Sequence, residues 1–88
     1  MLKDHTFIWL LTQDEARWYD TYDSCVVGAD TEEAARMITP DGLPFKGNSI
    51  IGPHSKWART PEKVNVEKIG VGKPALRGEV ICSSFNAG

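Results

Sequence analysis

A chain of 88 residues with 41% hydrophobic and 25% charged residues has the composition of one ordinary soluble globular domain. Its net charge of −2 argues against a broad nucleic-acid-binding surface. We expect neither a membrane span nor a signal peptide, because Asp4 precedes the first apolar run and that run, 7–11, is short. Residues 1–44 carry a net charge of −6 and residues 45–88 a net charge of +4. Such asymmetry usually reflects only a solvated surface; a basic patch for an anion, or head-to-tail self-association, is the alternative.

The first predicted strand spans residues 6–12 and is apolar on both of its alternating faces. One face carries Phe7, Trp9 and Leu11, and the other carries Ile8 and Leu10. One set is expected to pack beneath a helix, so the other needs cover from a loop, a partner chain or a second copy. This surplus of apolar surface predicts a homo-oligomer or a protein partner.

Residues 13–23 form an acidic and aromatic connection without a clear period. Trp18, Tyr19 and Tyr22 either pin this segment against the sheet or are exposed as recognition residues, since tryptophan and tyrosine are favoured interface anchors. The four acids of the segment lack the spacing of a calcium loop, so no metal site is predicted here.

Residues 23–29 predict a central strand of small and β-branched residues, and residues 31–38 predict a short helix. We expect Asp30 to cap this helix, with Glu33 at the capping-box position. The inward face is predicted from helical spacing. It comprises Ala34, Met37 and Ile38.

Residues 39–60 are broken repeatedly by proline and glycine and predict a long irregular loop that carries a candidate site. The candidate ligand- or partner-binding residues are Lys46, His54, Lys56, Trp57 and Arg59. Cations beside aromatic residues and glycines suit a phosphate group or a nucleotide. The alternative is a loop held down by its apolar residues, Trp57 among them, with the bases merely solvated.

The last two predicted strands span residues 64–70 and 78–85, separated by a turn at 70–74. A single helical turn with Thr60 as its cap and Pro61 in its first position precedes them. Val64 and Val66 are expected to face inward, whereas Ile69 falls out of register. Both cysteines, Cys25 and Cys82, are expected to be free and buried; a disulfide remains open if their strands are neighbours.

Signatures of catalysis and of bound cofactors are missing from the sequence. The cysteines and histidines do not have zinc-site spacing, and there is no nucleophile elbow. A pair between His54 and one of the cysteines is conceivable, although cysteines in apolar strands are usually inert. We therefore predict a protein that is not an enzyme and uses neither a metal nor another cofactor.

Three blocks of the chain resemble a family of short proteins encoded in bacteriophages and prophages, mostly of unassigned function. They are Y-D-S-C-V-V-G-A-D-T-E-E-A-A-R-M-I-T-P at 22–40, the pattern W-x-x-x-P-E-x-V-x-V-x-x-I-G at 57–70, and S-F-N-A-G at 84–88. The resemblance implies a viral accessory protein acting in the cytoplasm of a bacterial host. Many such proteins block host defence by binding a defence protein or by sequestering a signalling nucleotide.

Together these observations predict one α+β domain, 1–88, with a small four-stranded, mainly antiparallel sheet and one short helix on one face, in β-β-α-β-β order. The expected function is that of a non-enzymatic phage-type protein that antagonises a bacterial defence system by binding a host defence protein. The alternatives are a sponge for a phosphate-bearing signalling nucleotide and a small enzyme that uses the 41–59 loop.

Overall fold

A computed structural model describes residues 4–13, 21–42, 57–58 and 60–86, without the side chains of residues 85 and 86. The elements are β1 (Thr6–Thr12), β2 (Thr21–Ala29), α1 (Glu32–Arg36), β3 (Asn65–Gly72) and β4 (Val80–Asn86). Short 3-10 turns at Pro61–Lys63 and Pro74–Leu76 precede β3 and β4. The predicted α+β fold, with its β-β-α-β-β order, is confirmed.

The four strands form one sheet in the order β3-β1-β2-β4, and every neighbouring pair is antiparallel. β1 and β2 are therefore interior, which explains why their sequences are the most apolar. The predicted bounds of β1 are correct, and those of the other strands differ by one or two residues. The turn predicted at 70–74 is wrong in its first part, because β3 continues to Gly72.

The hydrophobic core lies between α1 and one face of the sheet. Trp9 and Leu11 of β1 are buried there, opposite Val27 and Cys25 of β2. The remaining buried apolar residues of this core are Ala29, Ala35, Trp57, Ala58 and Val64. The expectation that one face of β1 packs beneath the helix is confirmed.

The helix begins one residue later than its predicted cap requires. Thr31, not Asp30, is the N-cap, because its hydroxyl oxygen accepts a hydrogen bond from the backbone N–H of Ala34 at 3.1 Å. The predicted capping role of Asp30, and with it the capping box of Glu33, is wrong. Asp30 instead bonds side chains from two other parts of the chain.

The buried face of α1 also differs from the prediction. Ala35 is fully buried, whereas Ala34 and Met37 are exposed and only Ile38 packs against the core. The helix has five residues and ends at its C-cap, Met37, so the predicted spacing does not continue past its last turn. Arg36 fixes the helix to the approach to β3, since its Nη1 donates to the carbonyl oxygen of Val64 at 2.6 Å.

The predicted alternation in β3 is confirmed. Val64 is buried just before the strand, Val66 packs against the core, and Glu67 is exposed. A bulge between Ile8 and Trp9 of β1 pairs those residues with Gly70 and Lys68, which leaves Ile69 without a partner position. Ile69 is therefore out of register, as its place in the alternation predicts.

β3 and β4 lie at opposite edges of the sheet, so the segment that joins them crosses the sheet. It crosses on the face opposite α1. The backbone of Gly28 bonds this segment twice: its N–H donates to Glu79 O at 3.0 Å, and its C=O accepts from Gly78 N–H at 2.7 Å. A Cβ on Gly28 would lie 2.2 Å from the carbonyl oxygen of Leu76. Only glycine permits the crossing to approach this closely. The crossing covers one end of the second apolar face of β1, near Ile8.

The two cysteines are free and lie on adjacent strands. Cys25 is buried, as predicted, but Cys82 is exposed, which corrects that part of the expectation. Cys25 pairs with Ser83, and Cys82 pairs with Val26. Since cross-strand partners share a face and successive residues alternate, the two thiols point to opposite faces of the sheet.

The turn before β3 begins at Pro61, as predicted, but Thr60 makes no side-chain hydrogen bond to its backbone. Thr60 is nevertheless the N-cap residue of this turn, as predicted. The pKa of Glu62 is lowered by the hydrogen bond of its own backbone N–H and, secondly, by that of the Thr60 hydroxyl. The hydroxyl of Thr60 thus hydrogen-bonds the side chain of Glu62 in the first turn.

Candidate interaction surface

The structure tests only part of the site predicted from the sequence. Outside the described residues lie Lys46, His54, Lys56, Arg59, Trp18 and Tyr19. Trp57 is only 6% exposed and belongs to the core, and Tyr22 is half-buried and packs against the same core. Of the two interpretations of Trp57, the structure supports the one in which it anchors the chain to the core.

The buried indole Nε1 of Trp57 has no hydrogen-bond partner among the residues that the structure describes. Trp9, which is equally buried, donates its Nε1–H to the carbonyl oxygen of Ala29 at 2.8 Å. A buried donor without a partner loses its hydration and gains no bond in exchange. Trp57 therefore contributes apolar area to the core, while Trp9 also ties β1 to the end of β2.

An open groove of about 570 Å³ lies where the chain leaves α1 and where β4 begins. Its lining comprises Met37, Ile38, Thr39, Gly42, Gly78, Glu79 and Val80. The apolar residues come from the helix end and from the first residue of β4, and Glu79 lines the groove beside Val80. Such a mixture suits an apolar side chain of a protein partner, with a cationic neighbour opposite Glu79.

Local backbone geometry gives the groove its shape. Gly42 and Gly78 both adopt positive φ angles, 73° and 81°, which glycine reaches without strain. Gly42 closes the turn after α1, with its N–H donating to Thr39 O at 3.2 Å. Gly78 turns the crossing segment into β4. The two turns thus place the helix end and the strand start at opposite walls of the groove.

Met37 is the most exposed apolar residue of the groove, with 59% of its surface accessible. Methionine adapts its shape to a partner because it is unbranched and polarizable. Sequence spacing misassigned this residue to the core. The capping threonine indicates only where the helix starts; the packing of Ala35 against the core decides which face turns inward.

An ion-pair cluster supports the floor of this region. The Asp30 carboxylate accepts the hydroxyl of Thr6 at 2.7 Å and Arg77 Nε–H at 2.8 Å. Arg77 Nη2 donates in addition to the backbone oxygen of His5 at 3.3 Å. Arg77 directly precedes Gly78, so these bonds hold the crossing segment against the ends of β1 and β2. The cluster thus positions the residue that precedes Gly78, which lines the groove.

The other edge of the sheet carries a cation over aromatic rings. The Lys68 Nζ of β3 lies 4.2 Å from the centre of the Phe7 ring and 5.7 Å from that of the Trp9 ring. Phe7 and Trp9 pack edge to face, with ring centroids 6.3 Å apart. The ammonium group is attracted by the electron-rich ring faces and covers this margin of the core.

The described residues offer little chemistry. They contain no group of three or more His, Cys, Asp or Glu side chains that could hold a metal ion, and no helix among them is long and apolar enough to cross a membrane. Burial, with a smaller contribution from Cys82, raises the pKa of Cys25 to about 12. Its thiol is therefore protonated at neutral pH and is a poor nucleophile. His54, its conceivable partner, lies outside the described residues.

Exposure sets β4 apart from the other strands. All of its described side chains, from Val80 to Ser84, are exposed, and no other strand of the described chain pairs with its outer edge. The sequence indicated a strand here but gave no sign that it lies at an edge. Comparison of the chain with protein-family models, with curated proteins and with solved structures gave no significant match.

Proposed function

We propose that this chain is a small non-enzymatic binding protein of phage type that attaches to a bacterial defence protein in the host cytoplasm and blocks it. The groove beside Met37 supports a protein-binding role, because it joins exposed apolar side chains to one acidic group. The kind of target comes from the resemblance of the blocks at 22–40, 57–70 and 84–88 to short phage proteins.

The groove would act as a receptor for a projecting apolar side chain. Met37 and Val80 supply apolar contact from two different elements, and Glu79 favours a partner with a lysine or arginine next to its anchor. The groove walls are set by glycine turns and by the cluster of Asp30 and Arg77, so little ordering is required upon binding.

The test measures binding to purified defence proteins from the bacterial host, using calorimetry, for the wild type and for Met37→Glu. A buried charge in place of an apolar anchor should weaken binding by at least about tenfold. The matched control is Ile69→Glu, which changes another exposed apolar residue, on β3 and outside the groove lining. Both variants should keep the wild-type melting temperature, since both positions are exposed.

Equal binding by the wild type and by Met37→Glu would show that the groove does not bind the defence protein. The nucleotide-sponge alternative is tested in the same assay with cyclic nucleotides as ligands. In that case Lys56→Glu and Arg59→Glu should abolish binding, and added salt should weaken it, since charge-assisted contacts to phosphate are screened. Turnover of any such ligand would favour the small-enzyme alternative.

A further inference from the structure

β4 lacks the charges and prolines that often keep an edge strand from pairing, although it has a bulge at Ile81. Residues 80–86, V-I-C-S-S-F-N, include no charged residue and no proline. An exposed edge presents unpaired backbone N–H and C=O groups, and proteins protect such edges with lysine, proline, inward-pointing charges or bulges. Val80 and Ile81 are in addition exposed apolar residues. This edge is therefore ready to accept another strand.

Two register shifts interrupt the pairing of β4 with β2, one near each end of the strand. They lie between Tyr22 and Ser24 and between Val26 and Val27 of β2. Between the shifts, Cys82, Ser83 and Ser84 pair regularly with β2. The centre of β4 is thus the regular part of the edge, and a partner strand would pair there.

The opposite edge of the sheet is protected. β3 carries Glu67 and Lys68 in its middle, and Lys68 lies over the Phe7 ring. Such charges discourage strand addition. Of the two edge strands, β4 is therefore the one expected to pair with another strand.

We propose that β4 pairs antiparallel with β4 of a second copy, about a twofold axis at Ser83. Its sequence is self-complementary in that register. Position 82 would stand opposite 84, so that the small residues cysteine and serine face each other across the seam. No like charges meet, because the strand has none. A second copy therefore fits this edge better than a partner strand chosen without regard to sequence.

Such a dimer has closed symmetry, because it leaves no free β4 edge that could bind a third copy. The twofold axis joins two sheets into one, and the outer edges that remain are both β3, the protected strand. Because cross-strand partners share a face, both copies of α1 lie on the same side of the joined sheet. Each groove adjoins the dimer seam through Val80, yet its floor and its helix wall belong to one copy. The dimer is therefore independent of the proposed binding of a host protein.

The first experiment is light scattering after size exclusion, over a range of concentrations. The wild type should have twice the 9.7 kDa mass of one chain. Ser83→Lys brings two ammonium groups face to face at the axis and should raise the dimer dissociation constant by at least about tenfold. The matched control, Val71→Lys on the opposite edge, should remain dimeric, and Met37→Glu should also remain dimeric.

The second experiment does not depend on a disruptive charge. Directly opposite residues of an antiparallel pair have Cα atoms about 4.5–5.5 Å apart, within the range that a disulfide spans. Ser83→Cys should therefore form a covalent dimer under mild oxidation in a Cys25→Ala and Cys82→Ser background, where Cys25, the partner of position 83 within the chain, is removed. Val71→Cys in the same background should not. A wild type that is monomeric at every concentration, or cross-linking that is equal at both positions, would overturn the proposal.

Discussion

Asp30 and Arg77, 47 positions apart in the chain, are joined by a hydrogen-bonded ion pair of 2.8 Å between Oδ2 and Nε. The other carboxylate oxygen, Oδ1, accepts the hydroxyl of Thr6, which is itself fully buried. One side chain thus connects the start of β1, the end of β2 and the segment that crosses to β4. Both charged side chains are about one-third exposed, so solvent screens the pair in part.

Replacing Asp30 with asparagine should destabilise the protein, in contrast to what a helix cap at this position predicts. Asparagine caps as well as aspartate, but it removes the charge that faces Arg77. A double-mutant cycle with Asp30→Asn and Arg77→Met, followed by urea unfolding, should give a coupling free energy of about 0.5–2 kcal/mol. Additive effects of the two substitutions would show that the pair contributes nothing.

Gly28→Ala should destabilise the protein by about 1–3 kcal/mol, the usual range for overpacking. The added methyl group would meet the backbone carbonyl of Leu76, which cannot rotate away as a side chain can. Gly70→Ala is the control, because its Cβ would meet only Ile8 at 3.9 Å. Thermal unfolding should show a clear loss for the first variant and a small change for the second. Equal losses would mean that backbone freedom, and not the approach of Leu76, explains both.

Trp9→Phe should cost about 1–3 kcal/mol more than Trp57→Phe, because it leaves the carbonyl oxygen of Ala29 without its buried donor. The two tryptophans are equally buried, and each substitution removes the same atoms. In Trp57 the lost N–H has no partner, so its removal carries no such penalty. Denaturant titrations of both variants measure the difference. Equal costs would show that the hydrogen bond of Trp9 adds little to stability.

The pKa of Cys25, raised from 9.0 to about 12, should make stability fall with pH above about 9. In that range the unfolded chain releases the thiol proton while the folded chain retains it, so unfolding becomes more favourable as pH rises to about 12. Below pH 9 both states are protonated and this contribution is constant. Cys25→Ala should flatten the decline, measured as unfolding free energy against pH relative to the wild type.

A thiol reagent supplies the control for that measurement. In the folded protein at neutral pH, the reagent should modify the exposed Cys82 quickly and the buried Cys25 only after unfolding. Cys82→Ser should then show almost no reaction in the native state. Rapid modification of both thiols in the wild type would contradict the burial of Cys25 and the origin of its high pKa.

Local signals in the sequence determined the fold class, the existence of all four strands and of the helix, and the packing of one apolar face of β1 beneath that helix. Alternation along a strand is a local property, so it also predicted that Ile69 breaks the register of β3. The assignment of the capping residue failed by one position, since Asp30 and Thr31 are both good caps and only the hydrogen bond to Ala34 distinguishes them. The packing of Ala35 against the core, which no local signal shows, determines the buried helix face and leaves Met37 at the surface.

Tertiary structure alone decided the strand order and everything that follows from it. No local pattern states that β4 pairs with β2, because the two strands are far apart in sequence and many pairings bury similar surface. The exposed edge at Ser83, the crossing at Gly28 and the bond between Asp30 and Arg77 all depend on that order. Residue types and spacing predicted the individual strands and the helix. Long-range backbone pairing determined which of their residues face solvent and which contact each other.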